Sequence, residues 1–281
     1  MDISIDQMAQ DLARAAYARS TQLAYTDMIV RIRDRLGKPV ASWTRDDVRS
    51  AVEWLASLGK SASWLTQRYC ALRFLFKRTL GKPDVVSFLK LPKVHSPLPT
   101  VLSLDEVHAL LRAIREPRYQ AIAMVMYGAG LRVAEAIALE TSDIDGARGV
   151  LSVRHGKGNK AREAKLSRSL YEWLRTYWDR TRPPAPYLFA CPKRGTLPRA
   201  DTVRAALAKA GKEAWIKKHV TPHVLRHSFA THLLDEGTDV HVVRQLLGHA
   251  SIATTARYAR VTQKRVRETP SPLDLLPQRR R

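Results

Sequence analysis

The stretch "LKLPKVHSPLPTVLS" (residues 89–103) holds three prolines and no apolar period, yet it interrupts a chain that reads as helical on both sides. Proline fixes φ and removes a backbone donor, so such a run neither continues a helix nor joins a sheet, and it makes a stiff, extended connection. A chain divided there has to close two separate cores. The sequence therefore predicts one unit over residues 1–91, a linker over 92–102 and a larger unit over 103–281. A length of 281 residues with 45% hydrophobic content is enough for both.

The first unit reads as four helices. They cover residues 4–18, a second from a Ser20 cap to Leu36, a third behind Thr44 with acids in its first turn, and a fourth over 62–80. In the fourth, Leu65, Tyr69, Leu72, Phe76 and Leu80 repeat at helical spacing as one buried stripe, which leaves Arg68, Lys77 and Arg78 on the opposite face. In the second unit, Ser103 and Glu106 form a capping box that opens a helix to about Arg115. A buried helix follows and ends in Gly128 and Gly130. The period then shifts to two: "GVLSVRHGKGNKAREAKLS" (149–167) reads as two strands around a Gly-Lys-Gly-Asn turn, and "YLFAC" (187–191) as a third strand. The expected fold is mainly α: a helical N-terminal domain, then an α+β domain of helices with a small antiparallel three-stranded sheet.

Charge narrows the partner. The chain carries 48 Lys+Arg against 26 Asp+Glu, a net +22, and residues 1–92 alone hold 15 basic and 9 acidic side chains. Both units are basic, which no single basic tail explains and which points to a polyanion that touches both. Cys70 and Cys191 are the only cysteines, too few for a disulfide scaffold or a Cys-based zinc site. The acidic start "MDISIDQMAQDLARAA" is no signal peptide, and no stretch approaches the ~18 apolar residues that span a bilayer. A cytoplasmic protein without a membrane partner is expected.

Residues 221–262 gather five of the nine histidines. On a helix over 222–236, His223, Arg226, His227 and Ala230 share one face, while Leu225, Phe229, His232 and Leu233 share the other. Thr221 as cap and Pro222 in the first turn put His223 at the positive end of the helix dipole, where an anion is welcome. Further on, Gly248 ends a helix, His249 sits in the turn, and Ser251 caps a helix that carries Tyr258. Earlier, Arg132 follows the glycines with Glu135 three residues on, and Lys157 sits at the tip of the strand pair.

Arg132, Lys157 in a hairpin, His223-x-x-Arg226, His249 after "LLG", and Tyr258 nine residues later resemble the tyrosine recombinase (phage-integrase) family. "YGAGLRVAEAIALETSDID" and "GKGNKAREAKLS" are similar to Xer-type and transposon or integron integrases, and the resemblance covers the whole chain. It implies a SAM-like core-binding domain over 1–91 and a catalytic domain over 103–281. It also implies a site-specific recombinase that cleaves and rejoins DNA through a 3′-phosphotyrosyl link. By this resemblance Tyr258 is the nucleophile, Arg132, Lys157, His223, Arg226 and His249 complete the catalytic set, and Glu135 is a supporting acid. No metal, cofactor or ATP is implied. The partners implied are double-stranded DNA with paired inverted half-sites and further copies of the chain, from dimer to tetramer, linked by the apolar "LDLL" of the C-terminal tail.

The chemistry is sound from the residues alone. A phosphodiester needs its developing charge stabilised, and arginine is permanently charged and bidentate toward phosphate oxygens. A tyrosine with a free pKa of about 10 is roughly 0.1% ionised at pH 7, so a neighbouring base such as His223 has a purpose. Arg68, Lys77, Arg78, Lys160 and Arg162 read as phosphate contacts or solvated charges. His227 and His232 read as structural, and His241 as a surface residue. A zinc site built on His219, His223 and His227 is disfavoured, because Pro222 interrupts the helix that pairing needs. Two other classes fit parts of the pattern: a catalytically silent DNA-binding protein derived from an integrase, and a type IB topoisomerase-like enzyme. The intact set of six argues against the first; the length and the "LLGH" segment argue against the second. No sizeable insertion separates Lys157 from His223, so a transposon or Xer-like enzyme is expected over an integron one.

Overall fold

A computed structural model describes residues 2–93, 99–154, 161–191 and 193–248. Contacts divide the chain into two compact units, Met1–Pro97 and Leu98–Arg281.

The first unit packs α1 (Ile3–Arg14), α2 (Arg19–Leu36), α3 (Arg45–Ser57) and α4 (Ala62–Phe74) around a core that includes Met8, Leu12, Ile29, Ile32 and Leu72. Its boundaries differ from the sequence expectation at both ends of α1 and at the start of α2. α1 begins at Ile3 because the Asp2 carboxylate caps it, accepting from the Ser4 backbone N–H at 3.1 Å and also from Val40 at 2.9 Å. It stops at Arg14, and Ala16 then turns the chain with φ 56°. Ser20 is not a cap. α2 starts two residues earlier, behind Ala18, with no side-chain cap bond. α3 has its Thr44 cap, and the cap is a full box: the Thr44 hydroxyl accepts from the Asp47 N–H while the Asp47 carboxylate accepts from the Thr44 N–H. α4 runs into a π-turn at Leu75–Thr79, where the extra residue per turn keeps both Leu75 and Phe76 buried and leaves Lys77 and Arg78 exposed.

The second unit is built on α6 (Pro117–Gly128), a largely apolar helix buried among α5 (Leu104–Ala113), α8 (Arg168–Thr181), α9 (Ala200–Glu213) and α10 (Pro222–Asp235). Short α7 (Val133–Ile137) follows it, and α11 (Val240–Leu247) follows α10. The sheet is antiparallel in the order β1 (Ile144–Asp145), β2 (Val150–Val153), β3 (Arg162–Lys165), with Leu151 opposite Ala164 and Val153 opposite Arg162. Leu151, Val153 and Ala164 turn inward to the core.

The third strand is therefore Ile144–Asp145 and not "YLFAC". Tyr187 makes one isolated bridge to Glu140, and Leu188, Phe189 and Ala190 are buried as core filler. Prolines at 183, 184 and 186 lack the N–H groups that a longer ladder needs. Among the described residues no helix is long and apolar enough to cross a membrane.

Candidate active site

The site begins where α6 ends. Gly130 takes φ +66°, and a Cβ there would lie 2.4 Å from Phe229 Cε1 on α10, so only glycine lets the two elements approach this closely. The turn aims the Gly130 carbonyl at Arg226, whose Nη1 donates to it at 2.5 Å. Two residues on, Arg132 stands at the head of α7. Its backbone N–H donates to Glu135 Oε2 at 2.8 Å and its Nη1 donates to Oε1 at 2.7 Å.

Glu135 gathers more charge than that. Arg162, the first residue of β3, donates Nη1 to Oε1 at 3.1 Å and Nη2 to Oε2 at 2.9 Å, and Arg226 Nη1 lies 3.7 Å from Oε2. Burial alone would raise this carboxyl, but the Arg162 side chain, the Arg132 N–H and the guanidinium charges bring it down to about 2. It is an anion at any working pH. The end of α11 supplies the remaining acceptors: Leu247 O accepts from Arg226 Nη2 at 2.5 Å and Leu246 O accepts from Arg162 Nε at 3.2 Å. Carbonyls in a last helical turn lack intrahelical partners and carry the negative end of the dipole, so arginines satisfy them well. Gly248 closes α11 with φ +62°, and a Cβ there would meet Arg162 Cδ at 2.7 Å.

His223 lies in the first turn of α10, behind the Thr221 cap, whose hydroxyl accepts from the Val224 N–H at 3.3 Å. His223 is exposed. Desolvation by the surrounding protein, then the charges of Arg226, Arg204 and Arg132, push its pKa below the ordinary 6.5. A neutral imidazole at the mouth of an arginine cluster can take a proton. Arg204, on α9, acts on His223 through its charge alone, since its side chain is exposed and paired with Asp201.

The structure brings Arg132, Glu135, His223 and Arg226 together in this way. Lys157, Lys160, His249 and Tyr258 lie outside the described residues. α10 is more deeply set than a two-faced helix: Arg226 is only 4% exposed and Ala230 is buried. Arg162 departs from the phosphate-contact expectation, since its side chain is 11% exposed and its three nitrogens serve Glu135 and Leu246. The period of two held the signal, because Arg162 shares a face of β3 with buried Ala164 while Glu163 and Lys165 point out.

His232 is structural. Its Nε2 donates to Leu102 O at 2.9 Å, which leaves Nδ1 to accept from the Tyr127 hydroxyl at 2.8 Å. His227 is half-buried with its ring 6.4 Å from that of His223, and His241 is exposed. Pro222 opens α10, so His219 precedes the helix, and no metal-sized cluster of His, Cys, Asp and Glu forms among the described residues. In the first unit Lys77 and Arg78 are open to solvent, whereas Arg68 is half-buried with its guanidinium carbon 4.0 Å from the Trp64 ring centroid.

Residues 100–265 match the Phage integrase family, and residues 5–84 match the phage integrase N-terminal SAM-like domain. The chain belongs to the phage integrase family. A putative integrase/recombinase of Sinorhizobium fredii is 40% identical over 273 residues, which cover 96% of this chain and 88% of the relative. The tyrosine recombinase XerA of Pyrococcus furiosus is 34% identical over 97% of this chain and 94% of its own. A lambda integrase dimer bound to a core site shares the fold at a TM-score of 0.76 and 20% identity, covering 96% of this chain and 98% of that one. This phage-integrase chain is a tyrosine site-specific DNA recombinase, with the mainly helical integrase fold and its small antiparallel sheet.

Proposed function

We propose that the protein cleaves and rejoins duplex DNA with Tyr258 as nucleophile and the arginine cluster as the phosphate clamp. The observation that carries this is the grouping of Arg132 and Arg226 around one buried carboxylate, with a neutral His223 at its mouth. In this mechanism the Tyr258 oxygen attacks the phosphorus, and His223 accepts the phenolic proton. Arg132 and Arg226, with a hydrogen bond from His249, stabilise the non-bridging oxygens as charge builds in the phosphorane. Lys157 gives a proton to the departing 5′ oxygen. The product is a 3′-phosphotyrosyl link with a free 5′-hydroxyl. One phosphoester replaces another, so rejoining by the reverse attack needs neither ATP nor a metal.

Lys77 and Arg78 on the first unit, with Arg68 and Lys160, would add contacts along the DNA backbone. Paired inverted half-sites would each take one protomer, and the "LDLL" tail would join protomers into dimers and tetramers. A SAM-like unit over 1–91, a linker over 92–102 and a catalytic unit over 103–281 fit this division of labour, which takes place in the cytoplasm.

A nicked suicide duplex in EDTA, resolved on a denaturing gel, tests the chemistry. Wild type should give a shifted protein–DNA band and Tyr258→Phe none, with DNA binding preserved. Arg226→Lys keeps the charge but loses the planar fork, and should slow cleavage by several orders of magnitude. A band that persists with Phe at position 258, or that requires added metal, overturns the mechanism.

A further inference from the structure

We infer that Trp215 is a DNA contact: its indole lies against the sugar–phosphate backbone of the duplex, between phosphates taken by Lys212 and Lys217. The inference needs only that the chain acts on DNA. It is independent of the Tyr258 chemistry and of the arginine site.

The first observation is conformational. α9 ends in a two-bond turn just past its Ala214 cap: the Trp215 N–H donates to Lys212 O at 3.0 Å and the Ile216 N–H to Gly211 O at 2.9 Å. This geometry places the residue after the cap in the left-handed region, and Trp215 takes φ 56°. Glycine ordinarily fills such a position because it has no Cβ to crowd the following carbonyl, as Gly37 and Gly248 do at the ends of α2 and α11. A bulky aromatic there strains its own backbone.

The second is exposure. Trp215 is 90% exposed, whereas Trp43 is buried and Trp54, Trp64, Trp173 and Trp178 are half-buried. No burial offsets the strain. Ile216 and Val220 pack into the core beside it, and a Cβ on Gly211 would come within 2.7 Å of Val220 Cγ2. The turn is pinned inward on both sides of the indole, which is held out. A side chain that weakens the fold on two counts and packs on little of its own chain points to a partner.

The third is charge. Lys212, Lys217, Lys218 and His219 are all exposed along the turn. Lys218 pairs with Glu106 at 2.6 Å, and Glu213 lies 3.9 Å from both Lys209 and Arg115. Lys212 and Lys217 have no carboxylate within ion-pair distance among the described residues. An apolar plate flanked by two such ammonium groups suits a backbone in which phosphates alternate with the apolar faces of deoxyribose. A second copy of the chain, at +22, would bring repulsion to the same surface. The turn also leads directly to the catalytic residues. His223 is eight residues on, so the two lie at most about 29 Å apart, less than one turn of duplex at about 34 Å.

Trp215→Gly tests this, because fold and partner ask opposite things of the position. Relief of the left-handed strain should hold or raise the urea midpoint of the full chain. Affinity for a random-sequence duplex should nevertheless fall on the order of 10-fold, as when an aromatic anchor is lost. The salt slope should stay unchanged, whereas Lys217→Ala should lower it by about 0.9. Acrylamide quenching reads the indole directly: wild type should be more quenchable than Trp215→Gly, and added duplex should erase that difference. Should Trp215→Gly lower the midpoint, Trp215→Asn, which also tolerates left-handed backbone, is measured in the same way. Unchanged affinity with an indole still quenched in the complex overturns the inference. So does a shift from dimer to monomer when DNA-free Trp215→Gly is sedimented, which would assign the indole to a second copy. Failure of the Tyr258 chemistry would leave both readouts intact.

Discussion

An imidazole in the first turn of a helix, under the charge of three arginines, holds its proton poorly. Desolvation and then Arg226, Arg204 and Arg132 all lower His223. The neutral, proton-accepting form therefore persists below pH 6.5, and single-turnover cleavage should stay level through that pH and fall only further down. A pH–rate profile checks this, and the acid limb should disappear in His223→Gln. Gly130 makes a second prediction. Alanine there would need a left-handed φ and would drive its methyl into Phe229. Roughly 1–3 kcal/mol of overpacking and about 1 kcal/mol of backbone cost should appear in urea denaturation, together with weaker cleavage as the carbonyl under Arg226 shifts. At this scale much of the site was legible. His223 and Arg226 lie three apart on one helix, and Arg132 and Glu135 three apart across a helix start, so each pair is local. Arg162 was misplaced because its partner is 27 residues away in sequence, and only the face it shares with Ala164 hinted at its direction.

α10 is the element that organises the catalytic unit, and it does so with polar side chains on its buried side. The Ser228 hydroxyl accepts from the Leu102 N–H at 2.9 Å and donates to Val224 O at 2.9 Å, while His232 takes up Leu102 O. Both backbone groups of a fully buried residue ahead of α5 are thereby satisfied by one helix. Ser228→Ala would leave the Leu102 N–H buried without a partner, which should cost about 1–3 kcal/mol. Urea or thermal unfolding measures that loss. His232→Phe keeps the ring but drops both hydrogen bonds, and should cost at least as much. Neither interaction was visible in the pattern, which marked His232 as a packing residue without naming what it holds. Helix periods and capping boxes were easier to read, as at Thr44 and Ser103, because they are written within four residues. The third strand was misread for the opposite reason. "YLFAC" has strand composition, yet its backbone is crowded by prolines, and the two-residue Ile144–Asp145 has too little sequence to announce itself.

For the whole molecule the decisive quantity is charge. A net +22 spread over two units joined by a proline-rich connection suits a clamp whose halves grip the same duplex. Each phosphate neutralised by Lys or Arg releases counterions, so log affinity should fall with log salt at about −0.9 per contact. Six or more contacts would weaken binding about a thousandfold or more between 50 and 200 mM salt. The two units also predict what cutting does. Fragments 1–97 and 98–281 should each fold, since each has its own core, and each should bind with a shallower slope than the intact chain. If both units contact DNA, the two fragment slopes should sum to roughly that of the whole, while the intact affinity exceeds either by the effective concentration the linker provides. Fluorescence anisotropy on a random-sequence duplex across a salt series measures all three slopes. Near-flat salt dependence for the intact chain, or a full slope already present in one fragment, would mean that the duplex is not gripped by both halves.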